Sequence, residues 1–408
     1  MMEPRIWILA TLDTKQEPVQ RLVEGIVKRG GLPTVVDISA RPSTATLHDS
    51  IPLVPSSEVA SAAGVDPTSM AAMDRGNAVK QMSVGAKRVL HAASKRGEVG
   101  GVIGIGGSAG ATISANAMRQ LPLEIPKVLV STVVSGDTRK YVGISDMVLI
   151  FPIVDLVGMN FLLAGMLDRA AGILMEMARS GWVHPRRGKT CGITAFGATT
   201  ECVETCRRLL AEKRFEVLAF HARGTGGEAM ESLVASGALD TVLDVTTTEL
   251  ADEVAGGIYP SSNRLSAAPK RGIPNVVIPG ALDIVNLGSP DRQDAERLYP
   301  GRILYQHNPN SLLMRTSGRE METIGRLMAQ RLNRHPDRVA VLIPRLGFSA
   351  YDREGEIFHD PEADSAFARA LVSDIDPGVE VSEFDLHIND PEFARIAVDK
   401  VAQLEERE

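Results

Sequence analysis

Two stretches of this chain place glycines where backbone amides could meet an anion. The first, GVIGIGGSAGATISANAMRQ at 101–120, opens with a short apolar run. It turns through Gly106, Gly107, Ser108, Ala109 and Gly110 and goes on with helical composition. A strand, a glycine turn and a helix leave unpaired N–H groups at a helix start, where aligned peptide dipoles favour a phosphate or carboxylate. The second, VLAFHARGTGGEAMESLV at 217–234, repeats the design with Gly224, Gly226 and Gly227. Two such turns predict two α/β units with one anionic guest shared between them. Gly106, Gly107, Ser108, Gly110 and Thr112 would hold it from one side, and Gly224, Thr225, Gly226 and Gly227 from the other.

The turn GIGGSAG supports three chemistries. As a phosphate cradle, its glycines admit oxygens close to the backbone, and Ser108 and Thr112 add hydroxyl donors. As a dinucleotide fingerprint it is partial: Gly104, Gly106 and Ala109 fit G-x-G-x-x-A, but no acidic residue stands convincingly about 20 positions on. As G-x-S-x-G over 106–110 it matches a nucleophile elbow, with Ser108 attacking and His221, His307 or His387 following in triad order. Gly188-Lys189-Thr190 is no P-loop, because Val183 stands where the first glycine is needed and a strand follows instead of a helix.

Further polar residues follow the apolar runs, where open α/β sheets form their ligand crevice. They include Thr11, Asp13, Thr14 and Lys15, then Thr199 and Thr200, then Thr246 to Glu249. Later come Asn286, Asn310, Arg315, Arg345 and Ser349. Thr247 and Arg315 are assigned to the ligand. His307-Asn308-Pro309-Asn310 and His387-Ile388-Asn389-Asp390 each set an imidazole before an amide, so His307 and His387 could form an acid–base pair. Asp283, Asp352 and Asp390 could hold Mg2+ beside a phosphorylated ligand. No zinc-type spacing occurs, so no residue is assigned as a resident metal ligand. Cys191, Cys202 and Cys206 read as buried free thiols in a reducing cytoplasm.

The elements that must position these residues are legible from pattern. A chain of 408 residues calls for more than one domain, and 44% hydrophobic content is ordinary for a globular protein. A net charge of −7 argues against nucleic acid as partner. No run reaches the roughly 18 apolar residues of a membrane span, and MMEPRIWILATLDTK reads as a first strand, not a signal peptide. Strands are expected at 5–12, 34–38, 99–105, 127–131 and 147–151. A second set is expected at 190–196, 215–220, 240–245, 274–278, 302–306, 339–343 and 379–385. Helical stretches between them imply parallel βαβ units. Residues 40–72 break the rhythm and read as a long excursion at the mouth of the sheet. Helix 156–179 is apolar enough to predict packing in an interface. The expected architecture is therefore two Rossmann-like subdomains with mainly parallel sheets and a cleft between them. They divide into 1–183, with its turn at 104–110, and 184–408, with its turn at 224–227.

GIGGSAGAT, FHARGTGGEAME, DVTTTELADE, PGALDIVN, HNPN with Arg315, and DLHINDPEFA occur in this order. Together they resemble the family that includes the N-terminal ATP-binding domain of the tomato mosaic virus resistance protein. The resemblance spans essentially the whole chain. It implies Rossmann-like subdomains, ATP as ligand, homodimers, and a TIM-barrel companion that in plants lies on the same chain. It leaves the reaction open. The leading expectation is a cytoplasmic protein that binds ATP or a phosphorylated or carboxylated metabolite. The alternative is a hydrolase or C–C/acyl-cleaving enzyme using Ser108 or the His307/His387 pair.

Overall fold

A computed structural model describes residues 3–41, 47, 50–181, 186, 188–334 and 336–407. The chain forms two compact units, residues 1–184 and 185–408, each built on its own six-stranded sheet. The boundary expected at 183–184 falls outside the described residues.

The first unit runs β1 (Arg5–Ala10), α1 (Leu12–Val27), β2 (Leu32–Asp37), β3 (Leu53–Val54), α2 (Ser56–Ala63), α3 (Pro67–Ala72) and α4 (Arg75–Lys95). It continues with β4 (Gly101–Ile105), α5 (Ser108–Met118), β5 (Lys127–Val130), α6 (Arg139–Val142), β6 (Met147–Ile150) and α7 (Phe161–Ser180). The strands lie in the order β3-β2-β1-β4-β5-β6, all parallel. This is the doubly wound dinucleotide-fold order. Its central strands are continuous apolar runs because helices cover both faces. Leu22 and Ile26 of α1 and Leu167 and Leu174 of α7 pack with Ile6, Ile8 and Ile103 on one face. Val59 of α2, Met82 and Leu90 of α4, and Ile113 of α5 pack with Trp7, Leu9 and Val102 on the other. The chain therefore leaves β1 toward one face and β4 toward the other, and the loops after these neighbouring strands diverge into a crevice.

One expectation for this unit needs correction. The excursion at 40–72 contains β3, α2 and α3, and Asp66 caps α3 by accepting from Thr68 N at 2.8 Å. Helix α7 has one covered face, with Leu163, Leu167, Ala170 and Leu174 buried, while Phe161 is 84% exposed.

The second unit begins β7 (Thr190–Ala195), α8 (Thr200–Glu212), β8 (Glu216–His221), α9 (Thr225–Ser236), β9 (Thr241–Thr246), α10 (Glu249–Ala255), α11 (Ala267–Arg271) and β10 (Asn275–Gly280). Then come β11 (Ile284–Gly288), α12 (Arg292–Leu298), β12 (Leu304–Asn308), β13 (Ser311–Arg315), α13 (Gly318–Leu332), β14 (Val339–Pro344), α14 (Pro361–Asp374), β15 (Glu380–Phe384) and α15 (Pro391–Glu406). Its large sheet runs β15-β14-β10-β9-β7-β8, again all parallel. Strand order reverses between β7 and β9, as in flavodoxin-like sheets. The run at 302–306 is not part of it. It belongs to β12 in a small antiparallel sheet, β11-β13-β12, because Asn308 to Asn310 close a hairpin that β-strand pattern alone did not reveal.

Glycines mark the tight contacts within the first unit. A Cβ on Gly104 would sit 2.5 Å from Ser114 Cβ, and one on Gly106 would sit 2.9 Å from Gly110 Cα, so α5 lies close on β4. Where α4 crosses α2, a Cβ on Gly85 would come within 1.9 Å of Val59 O, whereas Gly165 on the exposed side of α7 has nothing within 4 Å. Gly85→Ala should therefore lower the stability of this unit by about 2–3 kcal/mol through overpacking. Gly165→Ala should raise it by about 0.5–1 kcal/mol through helix propensity. Equilibrium urea unfolding of the two variants tests the opposite signs.

Candidate functional site

A cavity of about 460 Å³ opens at the carboxyl ends of β1 and β4 in the first unit. The β1–α1 turn lends it Thr11, Asp13, Thr14 and Lys15, and the start of α5 lends it Gly107 to Gly110. Arg41, from the loop after β2, and Arg75, the first residue of α4, stand at its rim. Among the described residues none of Lys15, Arg41 and Arg75 has a carboxylate partner, and Asp13 is the one acid lining the cavity. The local charge is thus positive on a chain whose net charge is −7.

The helix starts around this cavity differ in what their N–H groups meet. At α1, Leu12 N donates to Asp37 Oδ1 at 3.1 Å and Asp13 N donates to Ser39 Oγ at 3.2 Å. Thr14 N and Lys15 N both donate to Thr11 O, and Ser39 Oγ donates in turn to Asp37. At α4, Asp74 accepts from Asn77 N at 3.0 Å. At α5 the cap position belongs to Gly107, which has no side chain to offer, and the first turn carries no acid. The first helical bond is Ala111 N to Gly107 O. The amides of Ser108, Ala109 and Gly110 have no acceptor among the described residues, and they border the cavity. An anion seated there would meet several N–H donors and the positive end of the helix dipole.

The rest of the first turn serves the fold. Gly106 N donates to Val130 O at 3.3 Å, and Gly106 itself is required by the approach of Gly110. Thr112 Oγ1 donates back to Ser108 O at 2.8 Å along its own helix. Both therefore leave the proposed ligand set. Asp37, at the end of β2, stands where dinucleotide folds keep a ribose-binding acid, but here it is buried and spent on α1. That counts against the dinucleotide version of the motif. Arg41 and Arg75 escaped the sequence reading because the polar, proline-rich stretch around them gave no sign of which strand end they would face.

The second turn has a different outcome. Gly224 N donates to Glu249 Oε1 at 3.1 Å and Thr225 N to Arg223 O at 2.8 Å. A Cβ on Gly226 would lie 1.9 Å from His221 O, and one on Gly227 would lie 2.4 Å from Glu249 Oε1. An internal carboxylate thus occupies the start of α9. Gly226 and Gly227 are explained by close packing, Gly224 by its φ of +71°, and the amides of Gly224 and Thr225 already have acceptors within the chain. Arg264, fully buried, binds Glu249 at 2.6 Å, Asp244 at 2.7 and 2.9 Å, and Glu231 at 3.3 Å. Burial opposes its charge, but Asp244 and Glu249 outweigh burial and hold the guanidinium firmly protonated. Thr247 is buried too, with Oγ1 donating to Ile278 O.

Arg315 is likewise interior. It donates to Asp364 Oδ1 at 2.7 Å and lies 3.6 Å from Asp352. Asp283, fully buried, accepts from Ser349 Oγ at 2.6 Å. Burial raises the carboxyl groups of Asp283, Asp352 and Asp364, with Arg315 opposing. Asp390 instead accepts from Arg353 at 3.0 Å and from His387 N at 2.8 Å. Asp352 and Asp390 are therefore engaged by cations and backbone, whereas Asp283 is held by the Ser349 hydroxyl and its Oδ1 has no hydrogen-bond partner among the described residues. No group of three or more metal-ligating side chains is assembled among the described residues.

The hydrolytic roles fare no better. Ser108 opens α5 and is not among the residues with positive φ, so the strained elbow of a hydrolase nucleophile is missing. Among the described residues no histidine lines its cavity. His221 Nδ1 pairs with Ala195 O and the ring stacks on Phe196. His387 has both nitrogens engaged: Nδ1 accepts from Asn389 N at 3.1 Å, so Nε2 donates to Ser349 O at 2.9 Å. Burial lowers its pKa and keeps the ring neutral. His307 is exposed on β12, 2.9 Å from Tyr351 Oη. An acid–base pair needs a proton free to move at both rings, and His387 has none.

Comparison with known proteins covers both units. Residues 4–182 match the N-terminal domain, and residues 188–405 the C-terminal domain, of the Uncharacterised protein family (UPF0261). A UPF0261 protein of Clostridium tetani is 40% identical over 411 residues, covering 100% of each chain. One from Rhizobium meliloti is 40% identical over 398 residues, covering 97% of each. The ToMV resistance protein Tm-1(GCR237) of Solanum lycopersicum is 37% identical over 424 residues, which is 98% of this chain and 56% of that protein. No helix among the described residues is long and apolar enough to cross a membrane.

Asp252 of the second unit, 1% exposed, accepts from Asn286 N at 2.7 Å and Tyr259 N at 3.0 Å. Burial raises its carboxyl from 3.8 to about 7. Between those limits the native state keeps a proton that the unfolded chain releases. Its contribution to stability therefore falls by about 1.4 kcal/mol per pH unit as pH rises from about 4 to 7, then levels off. Urea titrations read by hydrogen exchange over residues 241–260 should show wild type losing stability relative to Asp252→Asn across that window. A difference independent of pH would contradict the assignment.

Proposed function

Taking as premise that the chain belongs to the UPF0261 family, we propose that its first unit binds a small molecule by seating a phosphate or carboxylate on the start of α5. ATP is the candidate that the family resemblance suggests. The observation that carries this reading is the row of amides at Ser108, Ala109 and Gly110 behind a cap residue, Gly107, that has no side chain. Lys15, Arg41 and Arg75 supply the countercharge. The crevice lies at the reversal of strand order, where doubly wound sheets take their ligands. Mg2+ would enter with a nucleotide as its counter-ion, because no set of protein ligands is gathered for it among the described residues.

The test uses a residue that can change without harming the fold. Gly107 has φ −71° and nothing within 4 Å of an added Cβ. Gly107→Ala should fold normally. Gly107→Asp puts a carboxylate where the anion would sit, acting as a built-in cap. It should raise the stability of the ligand-free protein by about 0.5–1 kcal/mol. It should also weaken ATP–Mg2+ and inorganic phosphate by at least about tenfold. Calorimetric titration with thermal unfolding checks both signs, and equal affinity of wild type and Gly107→Asp would remove the seat.

A further inference from the structure

The cavity at the start of α5 also has an apolar part of its lining that the anion seat does not use. Met70 from α3, Met73 just after it, Val79 from α4 and Ile113 from α5 supply it. Met70 and Ile113 are buried in the core between these helices and the sheet. Met73 and Val79 are only half-buried and face the opening. These four side chains offer thioether and methyl groups and no hydrogen-bonding group.

From this division we propose that the ligand is an amphipathic phosphate, a mono- or diphosphate ester of a flat or branched apolar body. Its anion would rest on α5 and its apolar part on the methionine wall. The proposal rests on the anion seat described above and narrows its guest away from ATP, whose ribose carries the hydroxyls that this lining would leave unmet. Hydroxyl groups of a sugar or glycerol phosphate would lie against the wall without acceptors, and each unmet hydrogen bond costs about 1–3 kcal/mol. An aromatic or acyl body would lose no such bond and would gain by leaving water. Methionine suits the task because its unbranched thioether adapts to a flat partner. Three cations against Asp13 favour a guest with two or more negative charges over a single carboxylate. Met73 and Val79 would then set specificity, since they touch the body of the ligand and not its anion.

The experiment compares three probes on the full chain: inorganic phosphate, glycerol 3-phosphate and phenyl phosphate, titrated by calorimetry or by NMR line shape. Wild type should bind phenyl phosphate at least about tenfold more tightly than glycerol 3-phosphate. The near-isosteric double variant Met73→Gln, Val79→Thr should bring the two esters within about threefold while leaving inorganic phosphate unchanged. Equal affinity of the two esters for wild type would overturn the apolar wall and leave the anion seat standing, as would a preference that survives in the double variant. Failure of inorganic phosphate and both esters to bind wild type would overturn the seat itself and this proposal with it. Circular dichroism of the double variant separates loss of the wall from loss of the fold, and retained inorganic phosphate binding shows the same thing independently.

Discussion

A peptide N–H at a helix start needs an acceptor, and the way each helix of this chain meets that need divides its two glycine turns. Asp37 and Ser39 close the start of α1, and Asp66 and Asp74 close the starts of α3 and α4. Glu249 closes the start of α9 from a distance of 25 residues along the chain. Helix α5 receives none of this among the described residues. Its cap residue is glycine, its first turn is Ser-Ala-Gly, and its amides face a cavity with three cations around it. The doubly wound strand order opens a crevice there in any case; the uncapped helix makes that crevice suited to an anion.

The second unit uses the same local pattern for the opposite purpose. A glycine-rich turn again joins a strand to a helix, but the space a phosphate would take holds Glu249 and, behind it, Arg264 with Asp244 and Glu231. Removing one partner from such a set leaves charge unbalanced in a dry interior, which is costly, whereas the intact set holds loops from several strand ends in one arrangement. Arg315 with Asp352 and Asp364 forms a second set of the same kind. The polar strand ends of this unit are thus bound to one another, with Thr199 on Thr246 and Thr194 on Asp244 adding neutral links.

This explains how far the sequence could be read. Strand positions were legible because parallel strands buried on both faces must be apolar throughout. The first glycine turn was legible as a strand–turn–helix junction. The state of the second was not, because the residue that fills it, Glu249, is remote in sequence and looks like any helix-opening acid. The same limit applies to Arg315 and His387. Their types suggested ligand contacts, yet an arginine beside a strand end serves equally well to balance buried aspartates, and only the fold tells which. Arg75 was hidden in the opposite sense: it begins a helix behind an ordinary Asp74 cap, and α3 with α4 brings it to the cavity. The β12–β13 hairpin was missed because an antiparallel pair of five-residue strands carries no mark that separates it from a parallel run.

An uncapped helix start also links binding to stability. Helix α5 joins β4 to β5 and packs Ile113 and Met118 into the core on one face of the sheet, yet its first turn contributes little of its own: glycine at the cap, glycine again at 110, and no acid to meet the dipole. A bound anion would complete that turn from outside and would stabilise the native state in proportion to its occupancy. Asp37 does the equivalent work permanently for α1, one strand away. The two neighbouring helices at the reversal of strand order therefore differ in whether the acceptor is part of the chain, and that difference gives the first unit an asymmetric crevice with one closed lip and one open one.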